Sequence, residues 1–130
     1  MARLVRKKKQ VEAPPEFLIK ALRIGELAAE RKASDIRAYD VRGLTVIADA
    51  FVLCSAASEP QLRAIFNGVR EGMKEAGVAP LRSEGGFKGG WLVIDYGDAI
   101  VHIFRQEARE FYDLDGLWAD APQVELNLAP

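Results

Sequence analysis

The run Trp91 to Arg105, WLVIDYGDAIVHIFR, constrains this 130-residue chain more than any other segment. Two stretches rich in β-branched and aromatic residues, Trp91 to Tyr96 and Ala99 to Arg105, flank the dipeptide Gly97-Asp98. That arrangement specifies a β-hairpin closed by a two-residue turn of type I′ or II′. Strand alternation then sends Trp91, Val93 and Asp95 to one side and Leu92 and Ile94 to the other, while His102 shares a side with Ile100 and Phe104.

Helices with a single apolar face supply the cover. After Pro14 and Pro15, residues Phe17, Ala21, Ile24 and Ala28 fall on one helical stripe that Leu18, Leu22 and Leu27 widen, which predicts a helix over about 16–32. Ser58-Glu59-Pro60-Gln61 is a capping-box pattern with proline in the first turn, where its missing N–H is harmless. The stripe Leu62, Ile65, Phe66, Val69, Met73, Ala76 comes next, and Gly77 supplies the stop, so a second helix is expected over about 59–76. Between the helices, 36–41 and 46–56 read as two strands joined near Gly43, the second buried and central. Gly85, Gly86, Gly89 and Gly90 make the segment before Trp91 read as a flexible loop. Gln106 to Tyr112 reads as a short helix with a further turn through Leu114, Leu117 and Trp118, and everything past Pro122 as a loose tail. The order α-β-β-α-β-β-α implies an α/β single domain, a mixed β-sheet flanked by helices.

Charge is distributed unevenly. Residues 1–10 carry Arg3, Arg6, Lys7, Lys8 and Lys9 and no acid, whereas the whole chain has a net charge of −1. The body is therefore acidic behind a basic arm, and the stretch from Asp95 to Glu125 sets eight carboxylates against Arg105 and Arg109. Such a surface repels phosphate backbones and attracts basic proteins. The arm, placed at 1–13, suits either plain solvation or peripheral contact with RNA or an acidic lipid surface. No apolar run approaches the roughly 20 residues that cross a bilayer, and the N-terminus lacks the apolar segment of a secretory signal, so the cytoplasm is the expected location.

Candidate chemistry is thin. Cys54 is the only cysteine and His102 the only histidine, which leaves no disulfide and no metal set. A nucleophile at Cys54, Ser55 or Ser58 would need a base with an orienting acid, and no motif links His102 to any of them. A phosphate-cradling reading of GGFKGG fails because a Walker loop runs through Gly-Lys-Ser/Thr into a helix, whereas this one feeds the strand at Trp91. Asp95 and Asp98 flank a turn instead of alternating along a strand face, so they read as turn and surface residues. His102 reads as a hydrogen-bonded residue of the core or its rim. Trp91 reads equally as core or as the aromatic anchor of a partner surface.

Taken together, DAFVLCSAASEPQLRAIFNGV, EG, WLVIDYGDAIVHIF and AREFYDLDGLW resemble the ribosomal silencing factors, also called Iojap-related proteins. The likeness runs from the first helix to Trp118 and outlines a domain at 14–120, with 121–130 as tail. It implies a nucleotidyltransferase-like fold without transferase activity or cofactor, since the acid pair that such enzymes place after Gly-Ser is missing behind Ser55-Ala56-Ala57-Ser58. It further implies a translational repressor that binds the fourteenth protein of the large ribosomal subunit, a basic protein on the joining face, and blocks the small subunit when nutrients are scarce. The partner surface carried over by the likeness comprises Glu84 and Lys88 from the loop, Trp91, Val93 and Asp95 from the strand, and Tyr96 at the turn. The Trp91–Val93 strand also offers a self-pairing surface for a homodimer in the free state. A large-subunit assembly factor would use the same surface, and a residual nucleotide-dependent transferase is the competing enzymatic reading.

Overall fold

The computed structural model describes residues 14–128, so the readings made for the basic arm lie outside it. Helix α1 spans Glu16–Glu30, strand β1 Ser34–Asp40, β2 Ala50–Ala56, helix α2 Glu59–Glu75, β3 Arg82–Gly86, β4 Trp91–Asp95 and β5 Ala99–Arg105. Two short helices, α3 (Gln106–Tyr112) and α4 (Leu114–Leu117), and a final strand β6 (Gln123–Val124) complete the chain. The six strands form one mixed sheet in the order β3-β4-β5-β2-β1-β6, parallel only between β2 and β5. The α/β layered domain is as expected from the sequence.

The central strands are buried on both sides. Every residue of β2 is buried, as is every residue of β5 except Arg105. On one side α1 and α2 lay Ile24, Leu27, Leu62, Ile65, Val69 and Met73 against Val52, Cys54, Val101 and Ile103. On the other, Tyr39, Phe51, Leu53, Ile100 and Phe104 form a second cluster beneath α3, α4 and the C-terminal segment.

Local chemistry explains the ends of the elements. Ser58 Oγ accepts the N–H of Gln61 at 3.2 Å, so the N-cap stands where the sequence placed it. The Gln61 side chain, however, takes the N–H of Ala57 at 2.7 Å rather than that of Ser58, and donates to the carbonyl of Lys32 at 2.8 Å. One residue thus ties the end of α1 to the start of α2. Both helices close by the same paired bonds: Ala33 N–H to Ala28 O with Lys32 N–H to Ala29 O, and Val78 N–H to Met73 O with Gly77 N–H to Lys74 O. Each closure needs a left-handed residue, Gly77 at φ 82° in α2 but Lys32 at φ 65° in α1. In the hairpin, positive φ falls on Gly97 and not on Asp98, which selects type II′ over I′.

Three expectations are corrected. The second strand begins at Ala50, not at residue 46, because residues 41–49 form a loop that leaves Leu44, Val46 and Ile47 exposed. The segment expected as a glycine loop opens as strand β3, with Arg82, Ser83, Glu84, Gly85 and Gly86 registered against Asp95 through Trp91, and only residues 87–90 form a turn. The tail is not loose throughout: Gln123 and Val124 pair with Tyr39 and Ala38, and Leu126 packs on the main core.

A left-handed lysine costs about 1 kcal/mol relative to glycine. Lys32→Gly is expected to raise the thermal midpoint by roughly 4 °C in calorimetry, and Gly77→Ala to lower it by a similar amount.

Candidate functional site: the half-covered sheet face

Among the described residues, the side of the sheet away from α1 and α2 is only partly roofed. Its roofed half is fastened by Arg109, 6% exposed, whose guanidinium donates to Asp115 at 2.9 and 3.0 Å, to Ser55 Oγ at 2.9 Å and to the Asp35 carbonyl at 2.6 Å. A bulge in β1 between Ser34 and Arg37, with Asp35 at φ 48°, accompanies that last bond. Tyr39 adds its hydroxyl to Asp115 Oδ2 at 2.7 Å. The Arg109 hydrogen bonds hold the Asp115 carboxyl below the usual range, and burial raises the Tyr39 phenol. Trp118 meets Phe51 edge-on at 5.2 Å to finish this half.

The other half, over β4 and β5, exposes part of what the sequence singled out. Trp91 is half-buried, stacked on Phe104 at 5.1 Å and against Tyr112 at 4.5 Å. Its indole N–H donates to His102 Nδ1 at 3.2 Å. That bond fixes the neutral imidazole with its proton on Nε2, which has no hydrogen-bond partner among the described residues. Val93 sits beside His102 across the β4–β5 ladder and beside Glu84 across the β3–β4 ladder. Asp95 Oδ1 accepts the Gly97 N–H at 2.8 Å, and Oδ2 lies 3.5 Å from Arg82 Nε. With Phe51, Ile100 and Ile47, these groups enclose a cavity of about 220 Å³.

Of the six residues assigned to a partner surface, Glu84, Val93 and Asp95 line that cavity together, and Trp91 adjoins it on the same sheet face. Glu84 belongs to β3 and not to a loop. Lys88 lies in the β3–β4 turn, beside a separate depression with Gly90, Arg105 and Tyr112. Tyr96 is corrected: strand parity turns its side chain into the helix-side core, where it is 3% exposed and burial pushes the phenol up to about 12. It cannot face the same partner.

The nucleophile candidates are each occupied elsewhere. Cys54 is fully buried and its thiol is pushed up to about 12, Ser55 Oγ is held by Arg109, and Ser58 caps α2. Among the described residues no group of three or more His, Cys, Asp or Glu could hold a metal ion, and no helix is long and apolar enough to cross a membrane. Beyond strands β3 and β6, the sequence does not announce the role of Arg109 or the 41–49 loop. The partners of Arg109 are 74, 54 and 6 residues away, so no local spacing announces them.

The pattern described as "Ribosomal silencing factor during starvation" matches residues 14–130. The chain belongs to that family. The match runs through the C-terminal segment as well as the body of the domain. Members similar to it include a ribosomal silencing factor of Halalkalibacterium halodurans, 39% identical over 98 residues (75% of this chain, 84% of that one). A ribosomal silencing factor of Haemophilus influenzae is 40% identical over 88 residues, 68% of this chain and 86% of that one. The chloroplastic Iojap protein of Zea mays is 33% identical over 111 residues, 85% of this chain but 48% of that longer one. A crystal structure of a Bacillus halodurans protein superposes with a TM-score of 0.71 at 33% identity, over 85% of this chain and 98% of that one.

This geometry sets two outcomes. Arg109→Met strands Asp115 without its buried cation and is expected to destabilise by about 3 kcal/mol in urea unfolding. Burial lowers the His102 imidazole from its ordinary 6.5 to about 4. Because the folded value lies below the unfolded one, the stability held at neutral pH declines as pH falls from 6.5 to 4, by on the order of 3 kcal/mol. His102→Gln should flatten that part of the curve of stability against pH.

Proposed function

We propose that this protein is a translational repressor that docks on the large ribosomal subunit through a basic protein of its joining face, the fourteenth, and keeps the small subunit from associating. The reading is carried by one observation: the half of the sheet face left unroofed presents an aromatic anchor, Trp91, beside the aliphatic Val93 and the carboxylates Asp95 and Glu84. Tryptophan is enriched where interfaces concentrate their binding energy, and carboxylates at the rim suit arginine and lysine. Family membership supports the ribosome as the target, since relatives bear the name ribosomal silencing factor.

The mechanism is occupancy. A chain of this length has a radius of gyration of about 14 Å, so a docked copy stands well proud of a surface that must close against another subunit. No bond is made or broken, and repression tracks the fraction of subunits covered. A repressor of this kind acts in the cytoplasm, is useful when nutrients limit growth, and is relieved by dilution.

Co-sedimentation with purified large and small subunits tests the reading. Binding to large subunits alone, with loss of joining when small subunits are added, is the expected result. Trp91→Ala should weaken that binding by about thirtyfold, the equivalent of some 2 kcal/mol at an anchor. Sedimentation with neither subunit would overturn the proposal.

A further inference from the structure

Leu44, Val46 and Ile47 project from the loop between β1 and β2 at 55, 104 and 63% exposure. Burying such side chains stabilises by about 1.5–3 kcal/mol each, so three in four residues left in water form an apolar patch with a use. The loop is held in shape. Val41 N–H bonds to Asp49 O at 2.9 Å, Asp49 N–H to Asp98 O at 2.9 Å, and Thr45 Oγ1 accepts the Ile47 N–H at 3.2 Å.

Ile47 forms one wall of the 220 Å³ cavity, and Phe51 and Ile100 continue it. Glu84 and Asp95 form the facing wall, over a floor of Val93 and His102. This volume lies below the roughly 300–1,000 Å³ of small-molecule pockets and suits one long side chain. An apolar wall facing an acidic one matches an aliphatic stem that ends in a cation. The chain holds such a group there already: Arg82 Nε lies 3.5 Å from both Glu84 and Asp95, beyond good hydrogen-bond length, with its side chain 67% exposed.

We propose that this cleft is a socket for one lysine or arginine side chain of the docking partner, with Ile47 of the β1–β2 loop in its apolar wall, Val46 as an exposed apolar lip beside it, and Arg82 as the internal cation that the partner displaces. The proposal rests on the reading that the partner is a basic ribosomal protein. Exposed, loosely spaced pairs such as those of Arg82 contribute little, whereas a cation enclosed by docking meets the same carboxylates with less water between. The socket adjoins Trp91, so one partner segment engages anchor and socket together.

The positions are exposed, which allows substitution without unfolding. In low-salt sedimentation with large subunits, the double variant Val46→Ser, Ile47→Ser is expected to bind about tenfold more weakly, Glu84→Gln severalfold more weakly, and Arg82→Gln severalfold more tightly. Unchanged binding by the double variant overturns the socket while docking itself stands, and weaker binding by Arg82→Gln overturns the displacement. A second readout needs no ribosome: acetyl-Gly-Arg-Gly-amide, but not its citrulline counterpart, should shift the backbone amide resonances of Ile47, Val93 and Asp95. Equal shifts with both peptides, or none with either, overturn the socket. If wild-type protein ignores large subunits while the arginine peptide alone shifts these amides, the repressor reading falls and the socket remains.

Discussion

The parallel pairing of β2 with β5 governs the rest of the fold. Both strands are buried on both faces, and a parallel pair cannot be joined by a tight turn, so a long crossover must return the chain. That crossover supplies α2, which shields one face with α1, and the β3–β4 pair, which extends the sheet. Among the described residues, the helical cover of the opposite face comes from those beyond β5, in helices of seven and four residues. They are too short to roof six strands. The exposed half around Trp91 and Val93 is what that shortage leaves, so the candidate site is a consequence of topology before it is a matter of particular side chains.

Arg109 decides which half is roofed. By tying α3 and α4 to Asp35 and Ser55 on β1 and β2 it draws the short cover toward that side of the sheet. Trp91 is then caught at the margin: its ring rests on Phe104 and Tyr112, its N–H is committed to His102, and one part remains in water. An anchor held this way gives up little rotational freedom on binding, which suits a surface that acts by occupancy.

What could be read from sequence was what is encoded locally. The hairpin was legible because Gly97-Asp98 sits between two apolar runs, and α2 because its cap, stripe and glycine stop agree with one another. The start of β2 was misread because Val46 and Ile47 have strand-like side chains, yet their burial depends on where β1 ends. β3 was missed because Arg-Ser-Glu-Gly-Gly has no β-branched residue, and it is held by backbone pairing to β4 at the sheet edge. Tyr96 was misplaced by attending to the turn and not to parity, which puts it with Leu92 and Ile94. On the site itself, the residues sharing the Trp91 face were legible from alternation, whereas the cavity was not, since its walls come from four separate parts of the chain.

The two residues of β6 have an effect out of proportion to their number. By pairing with Ala38 and Tyr39, with Asp40 N–H bonded to Pro122 O at 2.8 Å, they blunt the outer edge of β1. Among the described residues this leaves β3 as the edge with a long run of backbone facing outward. A sheet that can grow at one end only reaches its limit when two copies meet edge to edge. Were two copies to pair through these described β3 edges, the contact would be isologous and would close as a two-fold pair.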